Sequence, residues 1–365
     1  MKVLMSAYAC EPNKGSEPEV GWRWLIDAAE KYNEVVLVTR KNNQENIEKE
    51  FSKLNLNNVK FEYFDLPKWA SFWKKGGRGV QPYAYLWEMF LFVYLLKRYK
   101  KEEFDLAQRV TFVTYRFPSF IWYFSKEFIF GPIAGGERYP LDFLKIFTSK
   151  GKIKEIIRML MQRFSLFDPL VLLTLYKADK IIAVTEDTKT ILPNFVQDKV
   201  IIKPAISINI NDFNIDLSKR EVKSKNDILK LLYIGNLLEL KGIMLTLMAL
   251  KDIDQSKYEF NIIGSGKDQK TFEDYVVKHN LNVNFLGQKN RNELSEYYLS
   301  HDLFVFPSLH DSGGMVVLEA KAHGLKVIVS DFGGPQMFVD ESDEVITEKT
   351  IESFTKKLNS LFINR

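Results

Sequence analysis

A predicted β-strand gives way to a predicted helix within the stretch Phe306-Pro-Ser-Leu-His-Asp-Ser-Gly-Gly-Met-Val-Val-Leu-Glu-Ala320. Asp311 and Ser312 carry side-chain oxygens of the kind that cap helices, and Glu319 falls one to two turns inside the helix. Each of the two glycines between them weakens a helix start by about 1 kcal/mol relative to alanine. That cost favours a site where backbone amides approach a ligand closely; a plain capped turn is the alternative. A helix that begins near Ser312 lets both carboxylates face this ligand.

A second ligand signal lies in the stretch Leu231-Leu-Tyr-Ile-Gly-Asn-Leu-Leu-Glu-Leu-Lys-Gly-Ile-Met244, which predicts a strand, a glycine turn and a helix. Lys241 stands at the start of this helix, where the macrodipole favours anions rather than cations. A bound anion such as a diphosphate would pair with the lysine and accept hydrogen bonds from the helix amides. A lysine that is simply solvated is the alternative.

Glycines also follow several other predicted strands. Gly264 and Gly266 follow the apolar run that ends at Ile263, and Gly287 follows the next run. Gly15 lies in the loop after the first predicted strand, where a flexible backbone lets amides face a ligand. Glycine turns between strands and helices are common, so these positions carry weight only as a set.

Short apolar runs alternate with helical patterns along the chain, which is typical of βαβ units around a parallel sheet. A polar segment, residues 209–226, separates two such series. We therefore predict an α/β protein with two Rossmann-like domains, residues 1–205 and 206–365, whose last helix can pack back on the first domain. Ligands of such sheets bind beyond the carboxyl ends of the strands, so the site is expected in the cleft between the domains. The predicted strands are Val3–Ser6, Val35–Thr39, Val59–Phe64, Leu106–Val110, Phe128–Phe130 and Lys180–Val184, then Lys230–Ile234, Glu259–Ile263, Val283–Phe285, Leu303–Phe306 and Lys326–Val329.

The 365-residue chain has a globular composition, with 46% hydrophobic and 27% charged residues. Its formal charge of +4 is mild, and it has neither zinc-finger spacing nor an aromatic RNA-binding motif, so we predict no nucleic-acid partner. The single Cys10 excludes an internal disulfide and fits a reducing compartment. The first apolar run is too short for a signal peptide and predicts a buried strand, so a cytoplasmic location is expected.

Two segments combine apolar and basic residues. The run Tyr83–Leu96 falls short of the roughly 20 apolar residues that a spanning helix needs, and it predicts a buried helix or, alternatively, a membrane-surface helix. The segment Lys150–Lys177 mixes lysines and arginines with bulky apolar residues. A basic amphipathic helix suits an anionic membrane surface, and packing on its own domain is the alternative. Peripheral association with the inner face of the plasma membrane is therefore one expectation.

These motifs, in this order and spacing, resemble glycosyltransferase family 4, the large group of retaining GT-B enzymes. The likeness rests on Lys241-Gly242, Gly264-Ser-Gly266 and the Asp311–Glu319 stretch. The stretches Gly15-Ser-Glu-Pro-Glu-Val-Gly-Trp22 and Gly131-Pro-Ile-Ala-Gly-Gly-Glu137 resemble a subgroup of exopolysaccharide and capsule enzymes. The resemblance spans nearly the whole chain and implies two Rossmann-like domains facing each other across a cleft. It also implies a nucleotide-sugar donor, a glycan or lipid-linked acceptor, and no metal or other cofactor.

The resemblance assigns roles to donor-side residues. Glu319 should hold the ribose hydroxyls, and Asp311 should contact hydroxyls of the donor sugar near the reacting carbon. Lys241 should neutralise the leaving diphosphate, while backbone amides at the helix start should cradle the sugar and diphosphate. The other expected donor-binding positions are Gly15, Gly264, Gly266, Gly287, Ser312, Gly313, Gly314 and Met315.

Two positions depart from the family pattern. Asn236 stands where the family usually has an arginine five residues before its lysine, so half of a cationic clamp is missing. Gln108 stands where a histidine usually follows a first-half strand; glutamine cannot become cationic, although it can bind a sugar hydroxyl. The expected catalytic residues are Gln108, Lys241 and Asp311. The arginines that could replace the lost positive charge are Arg109, Arg116 and Arg138.

The resemblance implies front-face retention, in which the leaving phosphate takes the acceptor proton and no protein nucleophile is needed. A sugar-nucleotide epimerase on the same scaffold is one alternative, but it needs acid–base side chains that a first half without histidine does not offer. A dinucleotide dehydrogenase needs a Gly-x-Gly-x-x-Gly turn, which the loop Glu11–Gly21 does not contain. A glycosyltransferase-like binding or partner subunit without catalysis is a third alternative, supported by Gln108 and Asn236.

Overall fold

The computed structural model of the chain describes residues 1–76, 78–206, 215–220 and 228–363, without the side chains of residues 291 and 292. The chain divides into two compact units. The first comprises Met1–Gly136 and Arg158–Ser207, and the second comprises Glu137–Ile157 and Ile208–Arg365. Each unit contains one parallel sheet with helices, which confirms the predicted α/β fold class.

The described strands of the first unit are β1 (Lys2–Ala7), β2 (Glu34–Thr39), β3 (Val59–Tyr63), β4 (Phe104–Thr111), β5 (Ser125–Ile133), β6 (Lys180–Ala183) and β7 (Val200–Ile202). They form a sheet in the order β3-β2-β1-β4-β5-β6-β7. β1 pairs in parallel with β2 and β4, so Leu4 and Met5 lie fully inside the core. The strand order reverses between β1 and β4, and the loops after these strands therefore lie at the edge where such sheets bind ligands.

The described helices of the first unit are α1 (Ser16–Lys31), α2 (Gln44–Phe51), α3 (Lys68–Ser71), α4 (Val80–Leu96), the second half of α5 (Ser149–Phe164), α6 (Pro169–Lys177) and α7 (Glu186–Ile191). Trp87 and Leu91 of α4 are buried in the core together with Phe128 and Phe130 of β5. The interpretation of Tyr83–Leu96 as a buried helix agrees with this packing. No helix in the described part of the chain has both the length and the apolar character to cross a membrane.

A buried ion pair joins α4 to β4. Arg109 Nε lies 3.1 Å from Glu88 Oε1, and the two side chains are 0% and 2% exposed. Arg109 Nη1 also donates to the carbonyl oxygen of Thr114 at 2.8 Å. Burial raises the pKa of the Glu88 carboxyl despite the attraction of the arginine. Because separating such a pair leaves an uncompensated buried charge, we assign Arg109 to the core rather than to a ligand site.

The described strands of the second unit are β8 (Leu229–Ile234), β9 (Tyr258–Ile263), β10 (Val283–Phe285), β11 (Leu303–Phe306), β12 (Lys326–Ser330) and β13 (Glu344–Ile346). Their order, β10-β9-β8-β11-β12-β13, is that of the Rossmann fold. The order reverses between β8 and β11, which locates the expected ligand crevice at the carboxyl ends of these two strands. The described helices are the first half of α5, then α8 (Ile243–Leu250), α9 (Gln269–His279), α10 (Arg291–Ser300), α11 (Met315–Ala322) and α12 (Ile351–Ile363).

The stretch 137–157 packs within the second unit, although it precedes the expected domain boundary at residue 205. The Phe143 ring lies edge-on to Phe332 and Phe354, with centroids 5.4 and 5.6 Å away. Ile351 N donates to Asp142 Oδ2 at 2.9 Å, and α12 also packs along α8. The last helix therefore contacts a segment from the first half of the sequence inside the second unit.

Candidate functional site

The loops after β8 and β11 meet at the carboxylate of Asp311. Its Oδ2 lies 2.5 Å from the Lys241 ammonium, and its Oδ1 accepts hydrogen bonds from Gly313 N at 2.9 Å and Gly314 N at 3.1 Å. Burial raises the pKa of the Asp311 carboxyl, but Lys241 and the two amides outweigh burial and hold its pKa below the ordinary value. Asp311 is therefore ionised at neutral pH. The structure brings four of the predicted site residues together around this charge.

The position of Lys241 depends on a close approach between the backbones of the loops after β8 and β11. It ends a short 3-10 helix, and Gly242 then precedes α8 in the left-handed conformation with a φ of 68°. A Cβ at Gly242 would lie 1.9 Å from the carbonyl oxygen of Pro307, so only glycine lets the two loops come this close. The Lys241 ammonium also lies 5.7 Å from the centroid of the Phe306 ring. The lysine was expected to open a helix directly; it instead ends the turn before that helix.

Three of the predicted donor-binding glycines are required by backbone packing. At Gly264 and Gly266 an added Cβ would lie 1.9 and 2.2 Å from carbonyl oxygens of the loop after β8. At Gly314, where φ is 60°, it would lie 2.7 Å from the Cα of Pro335. These contacts explain the glycines without a ligand. Donor binding at these positions stays a prediction.

At Gly313, Gly287 and Gly15 an added Cβ would meet no close neighbour. The nearest atom to a Cβ at Gly313 is Asp311 Oδ1 at 3.9 Å, and none lies within 4 Å at the other two positions. Gly287 and Gly15 have φ angles of 69° and 62°, which favour glycine on backbone grounds alone. Gly313 is not in the left-handed region, so neither its neighbours nor its backbone conformation requires glycine, and donor binding at this position stays a prediction.

The helix that carries Glu319 begins at Met315 rather than near Ser312. Gly314 adopts the left-handed conformation, and the Asp311 carboxylate binds the two amides that precede the helix. Within the described part of the chain, no side chain caps the first turn of α11. The start of α11 and the Lys241 ammonium therefore lie on either side of one carboxylate, and both are groups that favour an anion.

The Glu319 carboxylate accepts a hydrogen bond from a tyrosine that belongs to none of the sequence motifs. The Tyr298 hydroxyl, on α10, donates to Glu319 Oε2 at 3.2 Å. The Glu319 carbonyl oxygen lies 2.7 Å from Nδ1 of His323. No motif or spacing marks Tyr298 in the sequence, because its role depends on how α10 packs against α11.

A buried carboxylate from the stretch 131–137 lies beside the Asp311 loop. His310 Nε2 is 3.6 Å from Oε2 of Glu137, whose side chain is 0% exposed. A Cβ at Gly333 would lie 2.3 Å from the carbonyl oxygen of Asp311 and 3.2 Å from Glu137 Cγ, so glycine allows this packing. The sequence marked Glu137 only as the end of a motif; the structure places it in the second unit.

Gln108, the third predicted catalytic residue, lies in β4 of the first unit. It is 6% exposed, and its Nε2 donates to the carbonyl oxygen of Gly131 at 2.9 Å. A glutamine amide has two N–H donors and an acceptor oxygen, so this bond uses only part of its capacity. The catalytic role of Gln108 stays a prediction.

The start of α1 contributes a carboxyl group that the sequence indicated only as a helix-end charge. Both carboxylate oxygens of Glu17 accept from Val113 N, at 3.1 and 3.0 Å. Burial raises the pKa of Glu17 to about 7, against the opposing effects of the Val113 bond and Arg109. The Thr111 hydroxyl donates to the carbonyl oxygen of Ala9 at 2.7 Å and ties the loops after β1 and β4 together. The pKa of Glu17 is therefore close to neutral pH, and this carboxyl group lies at the edge of the first sheet where such sheets bind ligands.

We predict that Glu17→Gln flattens the pH dependence of stability between about pH 5 and pH 8. The pKa of Glu17 rises from 4.5 to about 7 on folding, so the folded chain holds more protons in this window. The wild type should therefore lose stability as the pH rises through 7, whereas glutamine has no proton to release. Urea unfolding across this range measures the slope, with Glu30→Gln on the exposed side of α1 as the control. An unchanged slope in Glu17→Gln would contradict the prediction.

Residues 214–365 match the sequence model of the family described as Glycosyl transferases group 1. An uncharacterised glycosyltransferase of Methanocaldococcus jannaschii is 29% identical over 179 residues, which cover 47% of this chain and 46% of the relative. The amylovoran biosynthesis glycosyltransferase AmsK of Erwinia amylovora is 28% identical over 144 residues, covering 36% of this chain and 35% of the relative. These alignments span less than half of the length of each relative.

The fold is similar to that of solved glycosyltransferases. The lipopolysaccharide outer core galactosyltransferase WaaB superposes with a TM-score of 0.62 at 13% identity, covering 100% of this chain and 91% of that chain. Similarity at this identity concerns the fold alone. The stretch 214–365 that matches this family model contains Lys241, the Asp311 loop and Glu319, and the chain has the GT-B fold.

Proposed function

We propose that this chain is a retaining glycosyltransferase, which moves a sugar from a nucleotide-sugar donor to a lipid-linked glycan acceptor during synthesis of a bacterial surface polysaccharide. The observation that carries the proposal is the convergence of the Lys241 ammonium, the Asp311 carboxylate and the amides of Gly313 and Gly314 in the matched domain. The relation to AmsK, named for amylovoran biosynthesis, supports a polysaccharide product.

The donor diphosphate would bind between Lys241 and the start of α11. Negative charge develops on this diphosphate as its bond to the sugar breaks, and donors already in place stabilise that charge most effectively. The Lys241 side chain is only 18% exposed, so water screens its charge weakly. The uncapped first turn of α11 adds the partial positive charge of its amides.

Asp311 would orient the donor sugar while it holds the two loops together. Its carboxylate already binds Lys241 and two amides, but an ionised carboxylate has about four lone-pair sites. A sugar hydroxyl can therefore add to these contacts without displacing them. Because its pKa is held low, Asp311 would serve as a hydrogen-bond acceptor and not as a proton donor.

The reaction we propose is front-face displacement. The acceptor hydroxyl attacks the anomeric carbon from the side on which the diphosphate leaves, and the leaving phosphate oxygen takes the hydroxyl proton. This path needs no protein nucleophile, and Gln108 would contribute a hydrogen bond to a sugar hydroxyl rather than a charge. In the described residues, no group of three or more His, Cys, Asp or Glu side chains is arranged to hold a metal ion. Lys241 and the helix amides would supply the positive charge in our proposal.

We expect Lys241→Ala to lower turnover at least about tenfold, because loss of one preorganised donor to developing charge typically costs this much or more. Thermal shifts with UDP, ADP and GDP and their sugar conjugates first identify the donor, and release of the nucleoside diphosphate in the presence of a lipid-linked acceptor then gives the rate. Lys326→Ala is the matched control, because Lys326 pairs with Glu344 at 3.0 Å in the same unit, away from the site.

A near-normal rate for Lys241→Ala, or an equal loss in Lys326→Ala, would contradict the assigned role. A wild-type chain that binds a sugar nucleotide but transfers no sugar to any lipid-linked or free glycan would favour the binding subunit over the enzyme.

We predict that Gly313→Ala weakens donor binding about tenfold, with little change in stability, since a displacement of about 1 Å near a reacting group has large effects. Its Cβ would enter open space beside Asp311, 3.9 Å from Oδ1, where we place the donor sugar. Gly264→Ala is the contrasting variant, because its Cβ would lie 1.9 Å from a carbonyl oxygen and should destabilise the unit itself. Nucleotide-sugar titration and thermal unfolding separate the two effects. Full donor affinity in Gly313→Ala would contradict the placement.

The helix α5 presents an apolar and basic surface, which supports a role at the inner face of the plasma membrane. Its exposed apolar residues, each between 47% and 68% exposed, are Ile153, Ile156, Ile157, Leu160, Met161 and Phe164. Its basic residues are Lys150, Lys152, Lys154, Arg158 and Arg163. Its one acidic residue, Glu155, is buried and accepts a hydrogen bond from the Tyr139 hydroxyl at 3.1 Å. Insertion of these apolar residues and attraction of the lysines and Arg163 to acidic headgroups would act together, whereas the terminal guanidinium nitrogens of Arg158 are buried.

We expect the chain to co-sediment at low salt with vesicles rich in phosphatidylglycerol and not with vesicles of phosphatidylcholine alone. Ile157→Asp should reduce this binding about tenfold, because it removes apolar area and adds a charge that anionic lipid repels. Val277→Asp is the control, since Val277 is 80% exposed on α9. Equal losses in the two variants, or no binding by the wild type, would exclude α5 as the membrane surface.

A further inference from the structure

We infer that Tyr298 is a positioning residue that orients the Glu319 carboxylate for the ribose of the donor. The inference rests on the proposed function and on the role that the family resemblance gives to Glu319, which is to bind the ribose hydroxyls of the donor. In this inference the tyrosine hydroxyl acts on the carboxylate and does not itself bind the donor.

The contact joins two helices of the second unit. The Tyr298 hydroxyl donates to Glu319 Oε2 at 3.2 Å, and the tyrosine side chain is 1% exposed. A tyrosine buried this deeply has little freedom to change rotamer, so its hydroxyl marks a fixed point in space. One carboxylate oxygen of Glu319 is thereby directed towards α10.

The tyrosine ring is itself held in place. It stacks on the His323 ring, with centroids 4.7 Å apart and an interplanar angle of 28°, and it lies 5.9 Å from the Phe304 ring. These contacts come from β11 and from the end of α11, so the ring is packed against two elements besides its own. A phenylalanine at position 298 would keep all of this packing and lose only the hydroxyl.

His323 extends the same arrangement to the backbone of Glu319. Its Nδ1 lies 2.7 Å from the Glu319 carbonyl oxygen, and its Nε2 lies 2.9 Å from the Ser295 hydroxyl. A carbonyl oxygen can only accept, so Nδ1 carries a proton and donates it to Glu319, while Nε2 forms a hydrogen bond with the Ser295 hydroxyl. Both the main chain and the side chain of Glu319 are therefore tied to α10.

One carboxylate can bind two ribose hydroxyls only when its two oxygens are held in a suitable orientation. A glutamate has three rotatable side-chain bonds, and freezing them when the ligand arrives reduces affinity. A hydrogen bond from a buried tyrosine sets the carboxylate plane beforehand. Because a carboxylate has about four lone-pair sites, a bond at Oε2 is compatible with two hydroxyl donors.

The experiment compares ribose and dideoxyribose ligands in Tyr298→Phe. Calorimetry would measure the affinity of UDP, ADP and GDP and of their 2′,3′-dideoxy counterparts, using whichever base binds the wild type. The ratio of the two affinities reports the ribose contacts alone. We expect Tyr298→Phe to reduce this ratio roughly fivefold, a loss comparable to that of one hydrogen bond, and Glu319→Ala to bring it close to one.

Tyr258→Phe is the matched control. Tyr258 is also 1% exposed in the second unit, and its hydroxyl has no hydrogen-bond partner among the described residues. This variant should keep the wild-type ratio. In turnover assays Tyr298→Phe should raise KM with little change in kcat, because the ribose lies away from the reacting carbon.

The outcomes separate the inference from the proposed function. A wild type that binds ribose and dideoxyribose ligands equally well would remove the ribose role of Glu319 itself. A wild type that discriminates, together with a Tyr298→Phe variant that discriminates as strongly, would overturn the inference and leave the role of Glu319 intact. An equal loss of affinity for both ligands in Tyr298→Phe would show a structural tyrosine and would also overturn the inference.

Discussion

The Asp311 carboxylate holds the site of the second unit together, because it is the acceptor shared by the loops after β8 and β11. One oxygen binds the Lys241 ammonium and the other binds the amides of Gly313 and Gly314. The Asp311 side chain is only 19% exposed, and a carboxylate with so little access to water needs hydrogen-bond and ion-pair partners. Each of these partners is in turn held in place by the carboxylate. The positions of the lysine and of the start of α11 therefore depend on each other through one side chain.

This arrangement requires loops that lie closer together than side chains normally allow. Gly242 approaches the carbonyl oxygen of Pro307, and Gly333 approaches that of Asp311, so closely that a Cβ would overlap the oxygen in either case. Neighbouring strands lie about 4.8 Å apart, and loops that leave two such strands side by side must share this narrow space. Many glycines of the site are therefore required because backbone segments pack closely there. Gly313 differs from them, because neither close packing nor a positive φ requires glycine at this position.

Most of the fold could be predicted from the sequence, because central parallel strands are buried on both faces and appear as continuous apolar runs. The predicted strand Leu303–Phe306 coincides with β11. The start of β5 was missed, since it contains the exposed charged residues Lys126 and Glu127. The edge strand β13 was missed because it has only three residues and two of them are partly exposed. The start of α11 was placed too early, because the conformation of Gly314 depends on its contact with Pro335.

The sequence by itself determined the order of the elements, the two parallel sheets and the charged residues at the ends of β8 and β11, because these follow from local periodicity and capping chemistry. Only the tertiary structure decided which charges meet. Arg109, a candidate for the missing cation, is paired with Glu88 in the core, while Glu137 lies beside His310 and Tyr298 holds Glu319. The two residues of each pair lie on separate segments of the chain, and 21 positions separate Glu88 from Arg109 and Tyr298 from Glu319. Residue types specify what a group can bind, but only the packing of separate elements specifies what lies within its reach.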